Sequence, residues 1–333
     1  MIKISFNTLQ ETLKLKLLKY GFEESEAGLC SKILSENNLY GVASHGTNRF
    51  CSFISLIKSG HIVVKTKPVL FKSFGAWEQW DAQKGPGPLN AWTATDRAIN
   101  LSKENGIGVV TLKNSNHWMR AGTYGWKAAE DGFIMIAWTN AFPMMPPWGS
   151  KQAVLGNNPI TFAVPRKTGP VVLDMALSQY SYGQLSNYRR ENKPLPYAGG
   201  YDLYGNLTTD AGEIYESKRA LPVGYWKGSG LAIMIDLVST ILSGGNSTFD
   251  IGMSEHDTAM SQVFIVFDPS KTNTADSINF IANSIIDSVK SSEPAEQSES
   301  VLYPGERALS RKNEYLKSGI PVNETVWERI LKL

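Results

Sequence analysis

The chain has 333 residues, 42% of them hydrophobic and 19% charged, with Lys+Arg 33 against Asp+Glu 31. That length suits about two domains with sizeable cores, and the composition excludes a disordered chain. A formal charge of +2 leaves no concentrated basic surface, so neither nucleic acid nor an anionic membrane is expected as a principal partner.

The first sixty residues read as helices. Thr8 and Glu11 have the spacing of a capping box, and Leu9, Leu13, Leu17 and Tyr20 then recur every three or four residues before Gly21. A second helix is predicted over 24–40, closed by Gly41. A third carries Phe50, Phe53, Ile54 and Ile57 on one face and ends at Gly60. Helical packing explains such a bundle, with a lid or a dimer contact as the functional alternative.

From His61 onward the pattern changes. A hairpin is predicted at 69–74 and 78–82 around Gly75, then a helix over 89–104, a short apolar strand over 106–112 and a helix ending at Asp131-Gly132. A buried strand follows at 133–139. Further strands are expected at 160–165, 171–174 and 262–267, with helices near 178–192, 229–243 and 276–290. Strands separated by helices indicate an α/β class, or α+β with a mixed sheet. The serine- and glutamate-rich stretch 290–300 reads as an exposed linker. Two final helices are predicted over 306–318 and 324–331. The helical ends are expected to form one discontinuous domain, 1–62 plus 301–333, around a mixed-sheet domain, 63–300, divisible into two subdomains.

The apolar runs 133–138 and 230–242 are short, and Asp236 interrupts the second; a membrane span needs roughly 20 apolar residues. Two cysteines, Cys30 and Cys51, exclude a disulfide scaffold and any multi-cysteine metal site. The chain opens without a short apolar core and cleavage site, so a cytoplasmic location is expected.

Of the four histidines, two have unusual settings. His45 lies in Gly41-Val-Ala-Ser-His-Gly-Thr-Asn-Arg49, a polar, glycine-flanked turn before an apolar-periodic helix. Imidazole donates protons near neutral pH, and a glycine beside it leaves room for a ligand. Arg49, four residues on, would project to the same side if the turn is helical. Together they suit a 2-oxo acid, the guanidinium gripping the carboxylate and the imidazole serving the carbonyl oxygen. The plain alternative is a helix cap beside a surface cation. His117, in Asn114-Ser-Asn-His-Trp-Met-Arg120, follows a strand, where ligand loops concentrate. It reads as a contact to substrate or nicotinamide, or as a hydrogen-bonded loop residue. His61 and His256 are expected in solvent.

No Gly-x-Gly-x-x-Gly, Walker loop or His-Glu-x-x-His occurs, so a Rossmann site is not supported. The segment Tyr225-Trp-Lys-Gly-Ser-Gly230 offers backbone N–H groups and Lys227 at a helix start, which suits a pyrophosphate, or else is a flexible helix entry. Asp174, at a strand end, suits a ribose hydroxyl or an imidazole partner, or caps a turn. Aromatics crowd the central third, among them Trp118, Trp126, Trp138 and Trp148; core packing is their default explanation.

Taken in order, Ser44-His-Gly-Thr-Asn-Arg-Phe50, Asn114-Ser-Asn-His-Trp-Met-Arg120, Met145-Pro-Pro-Trp-Gly149, Gly156-Asn-Asn-Pro159, Val172-Leu-Asp-Met175, Gly224-Tyr-Trp-Lys-Gly-Ser-Gly230 and Pro304-Gly-Glu306 resemble the second malate/L-lactate dehydrogenase family, over nearly the whole chain. The resemblance implies a non-Rossmann dinucleotide fold with an added helical domain built from both chain ends. It implies NADH- or NADPH-dependent reduction of a 2-oxo acid, here one derived from a sugar, by an intertwined homodimer whose cofactor cleft both subunits form.

By position, His45 matches the family's proton donor, and Arg49 and His117 match residues lining the substrate site. Pro170, Val171, Val172, Leu173, Asp174, Met175 and Ala176 match segments that hold the dinucleotide, as do Trp226, Lys227, Gly305, Glu306 and Arg307. Glu306 stands where some relatives carry histidine, so only the backbone contact of Gly305 is expected to carry over. Malate, lactate, sulfolactate, ureidoglycolate or a cyclic imine acid remain alternative substrates. From another class, a nonenzymatic dinucleotide- or sugar-acid-binding protein remains an alternative.

Overall fold

A strand that is apolar at every position needs cover on both faces, and that need organises this fold. The computed structural model describes residues 1–254, 256–295 and 300–333. It begins with β1 (Ile2–Ile4), α1 (Phe6–Lys19), α2 (Glu24–Leu39), a 3₁₀ turn (Ala43–His45) and α3 (Thr47–Lys58). There follow β2 (Val69–Phe74), β3 (Trp77–Asp81), α4 (Gly87–Asn105), β4 (Ile107–Ser115), α5 (Ala121–Glu130) and β5 (Ile134–Thr139). The middle adds β6 (Pro143–Met145), β7 (Leu155–Gly156), β8 (Ile160–Val164), β9 (Val171–Met175), α6 (Tyr182–Glu191), β10 (Gly200–Tyr201), β11 (Leu207–Thr208) and α7 (Ala211–Ser217). The chain closes with α8 (Trp226–Ser243), α9 (Thr248–Gly252), β12 (Met260–Phe267), α10 (Ala275–Lys290), α11 (Glu306–Ser318), β13 (Ile320–Val322) and α12 (Glu324–Lys332).

Seven strands form the main sheet in the order β2-β3-β4-β12-β5-β8-β9. Every neighbouring pair is antiparallel except β3–β4. A Rossmann sheet is mostly parallel; this one is mixed, in agreement with the expected fold class. Alternate residues of β5 serve opposite faces. Met135 and Ala137 join the core under α4 and α5, whereas Ile136 and Trp138 pack with Ala232 and Ile235 of α8. The first core is closed by Ala91, Ala94 and Ala98 of α4, small residues that let the helix lie close to the sheet.

A separate core gathers Leu9, Leu13 and Leu17 of α1 with Phe50, Phe53 and Ile54 of α3 and, from the other end of the chain, Ile320, Val322 and Ile330. Antiparallel pairing of β1 with β13 ties the two ends together. Because β1 ends at Ile4, α1 starts sooner than predicted. Ser5 caps it, its Oγ accepting from the Thr8 N–H at 3.1 Å. The Thr8–Glu11 pair therefore lies inside the helix and forms no capping box.

Other expectations shift at element ends. The 106–112 strand runs on to Ser115 as β4, and the 178–192 helix starts only at Tyr182. His61 and His256 are not solvated separately. Their half-buried rings meet edge-on with centroids 4.1 Å apart. The linker expected over 290–300 includes 296–299, which lie outside the described residues; Lys290 itself reaches Glu306 at 2.7 Å. Among the described residues no helix is long and apolar enough to cross a membrane.

Two adjacent amides on the last turn of α2 join the two cores. Asn37 donates from Nδ2 to the His45 carbonyl at 2.8 Å and accepts from Thr123 Oγ1 of α5, also at 2.8 Å. Asn38 accepts the Thr47 N–H at 2.7 Å and donates to Thr47 Oγ1 at 2.9 Å. Both side chains are buried, so each bond replaces water that cannot reach it. Asn38→Ala leaves the Thr47 N–H buried and unpaired, and is expected to lower stability by about 1–3 kcal/mol, measured as a lower urea midpoint at unchanged m-value.

Candidate active site

His45 ends the 3₁₀ turn, and Gly46 links that turn to α3. Only glycine fits there. A Cβ on Gly46 would lie 1.9 Å from Asn38 Oδ1 and 2.8 Å from the Leu34 carbonyl. With Gly46 and Asn38 packed so tightly, the His45 backbone is held at the end of α2. The His45 Nδ1 pairs with Ser44 Oγ at 3.0 Å, which leaves Nε2 for other partners.

The loop between β4 and α5 supplies the second imidazole. Three successive residues go three ways: Trp118 is buried in the sheet core, Met119 in the helical core, and His117 stays partly accessible between them. Asn116 pins the loop, donating to the Lys84 carbonyl at 2.7 Å and the Gly85 carbonyl at 3.0 Å. The Met119 N–H donates to His117 Nδ1 at 3.0 Å. An amide only donates, so His117 Nδ1 is the acceptor and the proton of the neutral ring sits on Nε2. The His45 and His117 rings stack with centroids 5.7 Å apart and planes 20° from parallel.

Two arginine–carboxylate pairs flank the stacked rings. Arg49 Nη2 of α3 meets Asp257 Oδ2 at 3.1 Å, and the same oxygen lies 4.0 Å from His117 Nε2. Asp257 Oδ1 accepts the Phe142 N–H at 3.3 Å. On the other side, Arg120 Nε donates to Asp174 Oδ2 at 3.0 Å, with its guanidinium 4.9 Å from the Tyr40 ring. Arg120 is buried and its Nη1 has no protein partner. Asp174 is thus neither a turn cap nor free; one of its oxygens is already taken by Arg120. Breaking such a buried pair costs about 3–5 kcal/mol.

Burial first, and these charges second, set the protonation of the imidazoles. Burial, then the nearby Arg49 and Arg120, lower the His45 pKa to about 3. Burial, Arg49 and His45 likewise hold His117 well below the usual histidine range. Burial pushes the Asp257 carboxyl up, against the pull of Arg49. In the free protein both rings are therefore neutral at pH 7.

The segments expected to hold a dinucleotide also converge. Edge strand β9 carries Val171, Val172, Leu173, Asp174 and Met175, with Pro170 and Ala176 flanking it. At one end the Val172 N–H donates to the Pro304 carbonyl at 3.0 Å, which brings the start of α11 against β9. A Cβ on Gly305 would come within 3.1 Å of the Val172 nitrogen, so the approach requires glycine. Beyond the other end, the Val223 N–H donates to the Leu177 carbonyl at 2.8 Å and leads into α8, whose first residues, Trp226 and Lys227, are exposed. The strand thus has one helix N-terminus at each end, where backbone N–H groups are unpaired. Glu306 bonds Lys290 and the Tyr303 N–H, and Arg307 points to solvent.

The structure brings His45, Arg49 and His117 into one cluster and joins Pro170–Ala176 to Gly305 and Glu306. Sequence reasoning missed Asp257, Arg120 and the two asparagines. Arg120 belongs to a motif already singled out, but its partner lies 54 positions away. No local pattern marks Asp257.

The malate/L-lactate dehydrogenase family profile matches residues 4–331, and the chain belongs to that family of oxidoreductases, which implies a nicotinamide cofactor. It is 40% identical over 333 residues to the 2,3-diketo-L-gulonate reductase of Klebsiella pneumoniae, covering 100% of both chains. The malate dehydrogenase of Pyrococcus horikoshii superposes with a TM-score of 0.90 at 30% identity, over 99% of this chain and 95% of that one. The sulfolactate dehydrogenase of Methanocaldococcus jannaschii gives 0.88 at 28% identity, over 99% and 95%.

The low pKa of His45 has a consequence for stability. The unfolded chain takes up a proton near pH 6.5 whereas the folded chain resists it down to about 3, so folding is favoured above 6.5 and weakens as pH falls through that window. The urea midpoint of the free protein is expected to fall between pH 6.5 and 4, and His45→Gln to make that fall shallower.

Proposed function

We propose that this chain reduces 2,3-diketo-L-gulonate to 3-keto-L-gulonate, with NADH as the reductant and His45 as the proton donor. The observation that carries the reading is the stacked His45–His117 pair beside Arg49, with the Nδ1 of each ring tied to its own loop. The curated relatives of that name, matching along their full length, support the choice of substrate.

Arg49 grips the substrate carboxylate. Among the described residues only one of its nitrogens is engaged, by Asp257, which leaves the rest of the fork for a planar anion. His45 Nε2 serves the adjacent C2 carbonyl oxygen. When bound, the nicotinamide supplies the hydride to C2. Negative charge then develops on that oxygen, and a donor already aimed there acts mainly in the transition state. His45 gives up its proton as the alcohol forms. His117, a donor at Nε2, holds the oxygen on the neighbouring carbon.

A neutral ring cannot donate in this way, and substrate arrival resolves the conflict. A carboxylate on Arg49 brings a negative charge beside His45 and offsets the guanidinium's repulsion, which ranks after burial among the causes of the low pKa; the reaction requires that the ring take up its proton in the complex. The β9 edge, with the starts of α8 and α11, is the candidate cradle for the dinucleotide: Val172, Asp174, Gly305 and the exposed Trp226 and Lys227 form it. The carboxylate of Asp174 on this strand favours NADH over NADPH, since it repels a 2′-phosphate and accepts a hydroxyl.

The active form is a homodimer. On α8, Met234, Leu237 and Ile241 are 54%, 50% and 72% exposed, a row of apolar side chains left uncovered. Such a face needs cover. Because the same helix begins with Trp226 and Lys227, a second copy seated on it would complete the cofactor cleft.

Two measurements test this reading. In a spectrophotometric assay of NADH and NADPH oxidation across sugar-derived and simple 2-oxo acids, NADH with 2,3-diketo-L-gulonate should give the highest kcat/KM. His45→Ala should lower that kcat by about 10²–10⁴-fold, and retention of most of the turnover rules His45 out as donor. Ile241→Asp should sediment as a monomer and lose turnover; a variant that stays dimeric and active places the interface elsewhere.

A further inference from the structure

The cavity between α3 and the β4–α5 loop has Arg49 as its one cation and Asp257 as its one carboxylate among the residues that line it. Asp257 is held from two sides. Its Oδ2 pairs with Arg49 at 3.1 Å, and its Oδ1 accepts the Phe142 N–H at 3.3 Å. Around His45, α3 contributes Arg49, the β4–α5 loop contributes His117 and Arg120, and β9 contributes Asp174. The segment before β12 contributes Asp257, which reaches this group through Arg49 and His117. Among the described residues, the elements packed directly on the turn bring no further charge to it: α2 offers Asn37, and the first turn of α6 offers Tyr182 and Gly183.

The charges cancel. Arg49 is paired with Asp257, Arg120 with Asp174, and both imidazoles are neutral, so among the described residues the free site carries no net charge. A monocarboxylic 2-oxo acid brings one negative charge, which one proton on His45 offsets. A dicarboxylic acid brings two, and among the described residues no cation of the site lacks a carboxylate partner of its own to offset the second.

We infer that Asp257 sets the charge class of the substrate: by cancelling Arg49 it makes the site accept one carboxylate together with one proton, and refuse a second carboxylate. The inference rests on Arg49 holding the carboxylate and His45 donating the proton, as proposed above. Asp257 is a positioning residue here, acting through Arg49 and His45. Without its charge the site carries an excess positive charge in the free state. A monoanion then needs no accompanying proton, and a dianion is admitted along with one.

Asp257→Asn tests this, because the amide keeps an acceptor for the Phe142 N–H while losing the charge. The readout is the ratio of kcat/KM for a polyhydroxylated monocarboxylic 2-oxo acid to that for 2-oxoglutarate, both with NADH. The variant should lower this ratio by about tenfold or more, and Asp257→Glu should restore it. Calorimetry with oxamate in buffers of different ionisation enthalpy should show proton uptake by the wild type and less by Asp257→Asn. An unchanged ratio with unchanged proton uptake, while the wild type turns over the monocarboxylic substrate, overturns the inference and leaves the proposed reaction standing. A wild type that reduces no monocarboxylic 2-oxo acid overturns both.

Discussion

Everything the site does depends on two neighbouring carboxamides at the end of α2. Asn38 saturates the start of α3, and Asn37 ties the His45 carbonyl to Thr123 on α5. One helix end thereby fixes the distance between the helical core, which carries His45 and Arg49, and the sheet core, which carries His117. Loops held only by apolar contacts would drift by the fractions of an ångström that matter to proton transfer. Buried amides with both ends satisfied do not, since moving either one strands a polar group away from water.

On that frame the chemistry is a matter of charge placement. Histidine near neutral pH is a switch whose setting depends on its neighbours. Here burial and two guanidinium groups set both rings to the neutral form. Each guanidinium has a carboxylate of its own, from elements distant in sequence: Asp257 before β12, and Asp174 on β9. The free protein thus keeps both rings neutral at pH 7 between two paired guanidinium groups.

Much of the fold was legible because its signals are local. Leu9, Leu13 and Leu17 repeat at helical spacing and are fully buried together. The run 133–139 has no polar interruption until its end, which correctly marks a strand covered on both faces. Local signals also misled. The Thr8–Glu11 spacing imitates a cap, and the true start of α1 depends on β1 meeting β13, more than three hundred residues away. The strands missed outright, such as β6 with β7 or β10 with β11, are two or three residues long and too short to show alternation. In the site, His45, Arg49 and His117 stood out by residue type and setting. Asp257 and the Arg120–Asp174 pair did not, because a partner's identity is a fact of tertiary distance. The placing of His61 and His256 in solvent failed for the same reason: nothing near either residue announces that their rings touch.

The loop from Asn116 to Arg120 is anchored in both cores at once, by Trp118 on one side and Met119 on the other. A segment so constrained is closed to gradual change, since most replacements there disturb packing before they alter chemistry. Asp257 is fixed differently: a quarter exposed in the segment before β12, it is held by polar bonds to Arg49 and the Phe142 N–H and not by packing in either core. A replacement at position 257 exchanges polar partners and leaves both cores packed, whereas one at 118 or 119 opens a core.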